Sequence, residues 1–281
     1  KAGQLKPLVD EYKRRYPNNR KYLGQALCNL AHSFARDKQL NPAVATAVEA
    51  LSFEPGYREM ATYYVRWINE LGENRLPEAE RALRDAFGKT DPHNRHFIRY
   101  TLAFEIYRDR LKDQNRARNE IRQMLREEPA NDGKVSSAMS WYLATSPDEG
   151  TFRREAEEIT KYVEANGHLD HLLSWLQSWA KGAGSSDLDK SNRKWFRQRI
   201  NNLNKHPEVA EWIAFEKAVG ANRPKAFLSL SKKLNTEQKF IRFHEQLGQD
   251  YHRYSAKDRA LAISHYRDLA KRFPKNASYA S

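Results

Sequence analysis

Two histidines are the first residues in this chain whose type and spacing could do chemistry. His168 and His171 stand three residues apart at the predicted start of a helix, a spacing that a zinc ion could use. A zinc site needs further protein ligands, and only Asp170 lies nearby. The single cysteine, Cys28, excludes both an intrachain disulfide and a cysteine-based zinc site. We therefore predict that the protein holds no metal.

The motifs of the common catalytic sites do not occur in the sequence. It contains no P-loop, no Gly-x-Gly-x-x-Gly, no His-Glu-x-x-His and no Gly-x-Ser-x-Gly. Carboxylate pairs such as Glu127-Glu128 lie at predicted helix ends and are typical of ordinary surface. Cys28 is predicted to be a small buried residue rather than a nucleophile. These patterns predict a protein that is not an enzyme and has no cofactor.

Four aromatic residues form the most informative local pattern: Phe97, Tyr100, Phe104 and Tyr107. Their spacings of 3, 4 and 3 predict one stripe along a single helix. A second apolar stripe is predicted on the opposite side of that helix: Ile98, Leu102 and Ile106. Two apolar sides fit either an interior helix packed by both neighbours or a groove that holds a peptide anchor. Both interpretations stay open at this point.

Two basic clusters raise the alternative of nucleic-acid binding. The first lies on one predicted helix face and consists of Arg118, Arg122 and Arg126. The second consists of Arg193, Lys194, Arg197 and Arg199 around Trp195 and Phe196. Interleaved cations and aromatics bind single strands through phosphate neutralisation and base stacking. Acidic residues are interspersed nearly everywhere, which is typical of a solvated surface, so nucleic acid is the less favoured partner.

Regularly spaced prolines mark the elements that would position these residues. Pro17, Pro55, Pro92 and Pro129 stand 38, 37 and 37 residues apart. Because proline lacks an N–H and pushes the preceding residue out of helical geometry, each is predicted to separate two helices. The asparagines that follow, among them Asn19 and Asn94, are predicted N-caps of the next helices.

Between these prolines, each unit is predicted to fold as two helices with a short polar break. The first unit has predicted helices at 21–36 and 42–53, where small residues such as Ala43 and Ala47 allow close approach. Further helices are predicted at 135–145, 152–165, 169–181, 192–203, 207–219 and 224–234. The run Gly182-Ala183-Gly184-Ser185-Ser186 predicts a loop with a local kink or a widened groove.

This pattern resembles the tetratricopeptide repeat (TPR). The last unit carries the resemblance best, with Leu247-Gly248-Gln249-Asp250-Tyr251 followed by Ala262, Tyr266 and Pro274. The first unit is similar, with Leu30-Ala31-His32-Ser33-Phe34, Ala43, Ala50-Leu51 and Pro55. The resemblance implies an all-α fold, a right-handed α-α superhelix (solenoid) of about seven TPR-like helix pairs.

The strength of the repeat pattern divides the chain into three predicted segments. Residues 1–165 are predicted to form TPR-like helix pairs, residues 166–236 irregular helical pairs with the Gly/Ser loop at 182–186, and residues 237–281 a last TPR-like pair. The chain lacks an initiator Met and opens directly into a helical pattern. We therefore expect an excised or processed region of a longer protein.

The TPR resemblance also implies a function. In that family the first helix of each pair lines a concave groove that binds a peptide or a partner helix. Carried over to this sequence, the predicted partner-binding residues are Phe97, Tyr100, Phe104, Tyr107, Arg66, Arg36, His32 and Asn69. The predicted function is a protein-interaction scaffold or adaptor. The alternatives are a nucleic-acid-binding helical repeat of the RNA-processing type and a regulatory repeat region of a larger enzyme.

Composition limits the class of partner. Of 281 residues, 40% are hydrophobic and 30% charged, which is typical of a folded, water-soluble chain without a membrane span. Lys and Arg number 49 against 36 Asp and Glu, a net charge of +13 that favours an acidic protein or peptide. A homo-oligomer formed through an uncapped repeat end is a further expectation. The compartment stays open, with the cytoplasm favoured.

Overall fold

The part of the protein that the structure describes is helical and contains no strand. The computed structural model describes residues 2–127, 133–165, 169–180 and 191–205, with short segments at 209–210, 213–214, 259–260, 263–264, 267 and 271. The all-α prediction is confirmed for these residues. None of their helices is both long and apolar enough to cross a bilayer.

The described helices before residue 128 follow one another with short connections. In chain order the described helices are α1 (Ala2–Arg15), α2 (Arg20–Arg36), α3 (Leu40–Leu51), α4 (Met60–Leu71), α5 (Leu76–Lys89), α6 (Arg95–Thr101), α7 (Gln114–Glu127), α8 (Gly133–Ala144), α9 (Glu149–Ala165), α10 (Leu169–Ala180) and α11 (Arg193–Leu203). Helix α6 continues without a break into a π-helical segment, Leu102–Arg108. The predicted helices 21–36, 42–53, 135–145, 152–165, 169–181 and 192–203 therefore match observed ones to within a few residues.

The prolines separate helices, but the asparagines do not cap them. Pro17, Pro55 and Pro92 lie between α1 and α2, α3 and α4, and α5 and α6, as predicted. Asn19 and Asn94 precede α2 and α6, yet neither side chain makes a capping hydrogen bond. At these two positions the prediction of an Asn cap is wrong, because φ/ψ of −84°/67° and −103°/−4° lie outside the extended region that a capping residue adopts.

The chain divides into two compact units, Lys1–Tyr142 and Leu143–Ser281. This division follows compactness, whereas the predicted segments 1–165, 166–236 and 237–281 followed the strength of the repeat pattern and stay a prediction.

Within the first unit, successive helices from α1 to α7 pack against one another, and two pairs of helices one apart in sequence are also in contact. Helix α2 contacts α1 and α3, and α4 contacts α3 and α5. The additional contacts α3–α5 and α4–α6 arrange the helices in two rows. The row formed by α2, α4 and α6 contains the first helix of each predicted pair, and α3, α5 and α7 contain the second.

Small residues let these helices approach closely. Ala43, Ala47 and Ala50 of α3 are fully buried, as is Leu51. Each later pair contributes larger buried residues at helical spacing, for example Tyr64, Val65 and Ile68 of α4, and Ile121, Met124 and Leu125 of α7. Apolar side chains at this spacing share one side of a helix and leave water by packing against other helices.

In the second unit, α10 packs against α9 and α11. The buried rings of Phe152 and Phe196 meet edge-on with centroids 5.9 Å apart, and Trp179 stands 5.1 Å from Phe196. Several predictions lie wholly or mostly outside the described residues: His168, Pro129, the loop at 182–186, helices at 207–219 and 224–234, and the last TPR-like pair.

Candidate partner-binding face

Side chains from α2 and α4 form an aromatic cluster in the first unit. The ring of His32 meets Tyr63 edge-on at 4.8 Å and Trp67 at 5.1 Å between centroids. Nε2 of His32 lies 3.2 Å from the carbonyl oxygen of Arg58, in the turn before α4. Burial lowers the pKa of His32, and the Arg58 charge acts in the same direction, so the ring is neutral at pH 7.

A second aromatic cluster joins the π-helical end of α6 to α8. Tyr100 and Phe104 stand 4.5 Å apart, and Trp141 meets Phe104 edge-on at 5.1 Å. The Nζ of Lys134 lies 4.7 Å from the centre of the Tyr100 ring and 3.3 Å from the carboxylate of Glu59. Burial raises the pKa of Tyr100, so its phenol stays protonated and can donate a hydrogen bond.

Arg66 links the two clusters. Its guanidinium lies 5.5 Å from the centre of the Tyr63 ring and 3.5 Å from the carboxylate of Glu105. Together the clusters make a continuous surface drawn from α2, α4, α6 with its π-helical end, α8 and the turn before α4. We call this surface the aromatic–basic face: His32, Arg36, Arg58, Tyr63, Arg66, Trp67, Tyr100, Phe104, Lys134 and Trp141.

A cleft of about 520 Å³ opens at one end of the aromatic–basic face. It is lined by Asn29, His32, Ser33, Arg36, Arg58, Glu59 and Tyr63. Oδ1 of Asn29 is buried there and accepts no hydrogen bond within the described part of the chain. Arg58 and Glu59 both have left-handed backbone, with φ of 49° and 55°, which non-glycine residues rarely adopt.

Not all of the predicted binding residues lie on the aromatic–basic face, and those that do differ in exposure. His32, Arg36, Arg66 and Tyr100 lie on the face with part of the side chain exposed, and Phe104 lies there but is only 4% exposed. Phe97 packs instead against the turn before α4, where a Cβ added to Gly56 would meet its ring at 2.3 Å. Asn69 is half-buried, one turn beyond Arg66 on α4. Whether these residues bind a partner stays a prediction.

Tyr107 corrects the prediction of a single aromatic stripe. Its hydroxyl donates to Glu80 and accepts from Arg84 at 2.9 Å, so the side chain reaches α5. The reason is the π-helical segment Leu102–Arg108, which bonds residue i to i+5 and holds an extra residue in the turn. Residues spaced for an α-helix therefore separate, and Tyr107 leaves the stripe of Tyr100 and Phe104.

Tyr107 belongs to an ion-pair network among α5, α6 and α7. Glu120, with 6% of its side chain exposed, pairs with Arg84 and, at 2.8 Å, with Arg99. Arg99 also pairs with Glu127 at 2.6 Å. A smaller cleft of about 350 Å³ lies at this network. Because its acids and bases satisfy one another, the network is best explained as a structural bond between helix pairs.

Sequence reasoning missed several members of the face. Tyr63, Trp67 and Arg58 were not predicted to bind. The signal was present, because Tyr63 and Trp67 stand four residues apart and share one side of α4. The side of α4 that contributes Tyr63 and Trp67 to the aromatic–basic face is rotated by one residue from the predicted side. Lys134 and Trp141 carried no such signal.

The basic clusters are partly used in packing. Arg118 donates to the carbonyl of Tyr142 at 2.5 Å and lies 4.3 Å above its ring. Phe196 is fully buried in the second unit, so its ring cannot stack on a base. Arg199 pairs with Glu157 and lies 5.7 Å from the centre of the Trp195 ring. The cations and rings that suggested nucleic-acid binding therefore largely make contacts within the protein.

The described residues hold no group of three or more His, Cys, Asp or Glu side chains that could bind a metal ion. Cys28 is buried, and its thiol donates to the carbonyl of Glu54 at 3.6 Å. Comparison with protein-family models, with curated proteins and with solved structures found no match.

Proposed function

We propose that this chain is a TPR-like helical solenoid that serves as a protein-interaction scaffold, and that the aromatic–basic face binds an acidic segment of a partner protein. The observation that carries the proposal is the continuity of this face, which takes side chains from the first helices of successive pairs. A binding surface of this kind suits an extended chain, because each pair adds one more contact along the segment.

The chemistry of the face supports a peptide ligand. Tyr63 and Tyr100 are half-buried, so each ring can contact an apolar side chain while its hydroxyl bonds the backbone of a peptide. Arg66 is exposed beside the Tyr63 ring, and Arg36 is exposed in the cleft that Tyr63 also lines. Guanidinium groups at the edge of an aromatic surface favour carboxylates over neutral side chains, since they form paired hydrogen bonds with them.

The charge of the face points to an acidic segment. It carries the cations Arg36, Arg58, Arg66 and Lys134, against the neighbouring carboxylates of Glu59 and Glu105. The whole chain has a net charge of +13, which attracts an acidic partner from a distance.

Selection from a random peptide library, followed by fluorescence anisotropy on the recovered sequences, tests the proposal. We expect acidic peptides with an apolar anchor to be recovered. Tyr63→Ala and Tyr100→Ala should each weaken their binding by about thirtyfold, the effect of losing an anchor worth about 2 kcal/mol.

Tyr22→Ala is the matched control, because Tyr22 is 58% exposed and lies outside the face. Its binding should equal that of the unmodified chain. Equal loss in all three variants, or no loss in any of them, would reject the face as the binding surface. Tighter binding of a mixed single-stranded oligonucleotide than of any selected peptide would reject a peptide partner.

A further inference from the structure

Two arginines, Arg36 and Arg58, line the cleft on the aromatic–basic face. Arg36 ends α2 and Arg58 lies in the turn before α4, and both are exposed. Neither forms an ion pair with a carboxylate in the described ranges. Glu59 also lines the cleft, but its carboxylate pairs with Lys134 at 3.3 Å. The cleft is therefore positively charged.

From this arrangement we infer that the cleft binds a phosphorylated side chain, phosphoserine or phosphothreonine, of the partner segment. The inference rests on the proposed function and specifies its ligand. A phosphate monoester carries close to two negative charges and three acceptor oxygens at neutral pH. One guanidinium fork already occupies both oxygens of a carboxylate, whereas two forks from separate elements match the larger, tetrahedral group.

The remaining lining residues suit a phosphate. The hydroxyls of Ser33 and Tyr63 can donate to its oxygens, and Ser33 lies 3.5 Å from a guanidinium nitrogen of Arg36. Asn29 also lines the cleft, and its side-chain carbonyl oxygen is buried without a hydrogen-bond partner in the described part of the chain. The cleft is wide enough, at about 520 Å³, for a phosphorylated side chain with its backbone.

The position of Arg58 is fixed by its surroundings. Its φ of 49° and that of Glu59, 55°, place two successive residues in the left-handed region. The carbonyl of Arg58 lies 3.2 Å from His32, and the carboxylate of Glu59 is held by Lys134. Strained backbone that the surrounding contacts maintain is often found where a side chain must be presented to a ligand.

Three labelled peptide pools with random flanks test the inference, with a central phosphoserine, serine or glutamate. We expect the phosphoserine pool to be retained, and its best sequence to bind at least about tenfold more tightly than the serine version, the effect of one or two charged hydrogen bonds. Free phosphoserine should compete, and inorganic phosphate should compete more weakly.

Variants locate the site on the cleft. Arg36→Ala with Arg58→Ala should remove the preference for phosphoserine, and Arg36→Lys with Arg58→Lys should keep part of it because the charge remains. Arg81→Ala, an exposed arginine of α5, is the control and should have no effect. Thermal unfolding of each variant verifies that it is folded.

Each other outcome overturns the inference in a recognisable way. Equal retention of the serine and phosphoserine pools, or a preference that survives loss of both arginines, rejects the phosphate site. If the selected serine peptides still depend on Tyr100, the proposed function remains. Retention of no pool rejects both. Tighter binding of an oligonucleotide or of phosphoinositide vesicles, dependent on Arg36 and Arg58, assigns the cleft to another class of partner.

Discussion

At the scale of single residues, left-handed backbone occurs both at the end of a helix and in the turn before α4. Four non-glycine residues in the described chain have positive φ: Lys38, Arg58, Glu59 and Lys112. Lys38 ends α2 in a Schellman-type arrangement, in which the N–H of Gln39 donates to the carbonyl of Phe34 at 2.9 Å. Glycine usually occupies this position, because any Cβ there is strained.

We therefore expect Lys38→Gly to stabilise the protein. The left-handed backbone of Lys38 costs about 1–2 kcal/mol, which glycine would avoid. Glycine itself lowers stability by about 0.5–1 kcal/mol, because the unfolded chain then has more conformational entropy to lose on folding. The free energy of unfolding, measured with urea, should rise by up to about 1 kcal/mol. The same substitution at Lys161, an exposed position inside α9, should lower it by about 1 kcal/mol. Effects of equal sign would contradict this assignment of strain.

Cys28 should be chemically inert in the folded protein. Burial raises the pKa of its thiol from 9.0 to about 12, with the charge of Glu54 adding to the effect. The reactive thiolate is therefore scarce at pH 8. A thiol reagent such as Ellman's should label the native protein far more slowly than the same protein in urea. Equal rates would show that the thiol is accessible.

The same group makes stability depend on alkaline pH. The unfolded chain loses the thiol proton near pH 9, and the folded chain keeps it until about pH 12. The contribution of Cys28 is thus complete below pH 9 and is lost as the pH rises toward 12. Cys28→Ala should flatten the decline of Tm over this range.

At the scale of helices, substitution of Gly56 tests how closely the elements pack. A Cβ at this residue would stand 2.3 Å from the ring of Phe97, while a Cβ at Gly88 would meet nothing within 4 Å. Gly56→Ala should therefore destabilise the protein by about 1–3 kcal/mol through overpacking. Gly88→Ala, near the end of α5, should stabilise it by about 0.5 kcal/mol. Chemical denaturation of both variants measures the difference.

Most of the helical architecture could be predicted from the sequence. Proline spacing and apolar periodicity act locally, so they placed α2, α3 and their buried alanines correctly. The π-helical segment could not be predicted, because its extra residue leaves the apolar pattern of Ile98, Leu102 and Ile106 unchanged. The site was predicted in part. His32, Arg66 and Tyr100 follow from helix position, whereas Lys134 reaches the face only through packing of α8.

At the scale of the whole molecule, the net charge of +13 should raise the association rate of the proposed acidic partner more than it changes the dissociation rate. In the described part of the chain, some of this charge takes part in intramolecular ion pairs such as Arg99–Glu127. Leu8, Tyr16 and Tyr22 are more than half exposed in the first unit. The predicted homo-oligomer could use these side chains, and light scattering at several concentrations measures it.

The association and dissociation rates of a selected acidic peptide should separate the effect of the net charge from the effect of direct contacts. Raising the salt concentration from ~50 to ~300 mM should lower the association rate severalfold and change the dissociation rate little. Arg81→Glu, outside the face, should lower the association rate alone, whereas Arg66→Glu should also speed dissociation. Identical effects of the two reversals would indicate that Arg66 makes no direct contact.

The π-helical turn at Leu102–Arg108 has a consequence for insertions and deletions. Because this turn already holds one extra residue, loss of one codon here would be absorbed by reversion to ordinary α-helical pitch, and the later side chains would keep their direction around the axis. Tyr107 would then still reach Glu80 and Arg84, so the link between α6 and α5 would survive. The same deletion in a regular α-helix has no extra residue to lose and would turn each later side chain by about 100°.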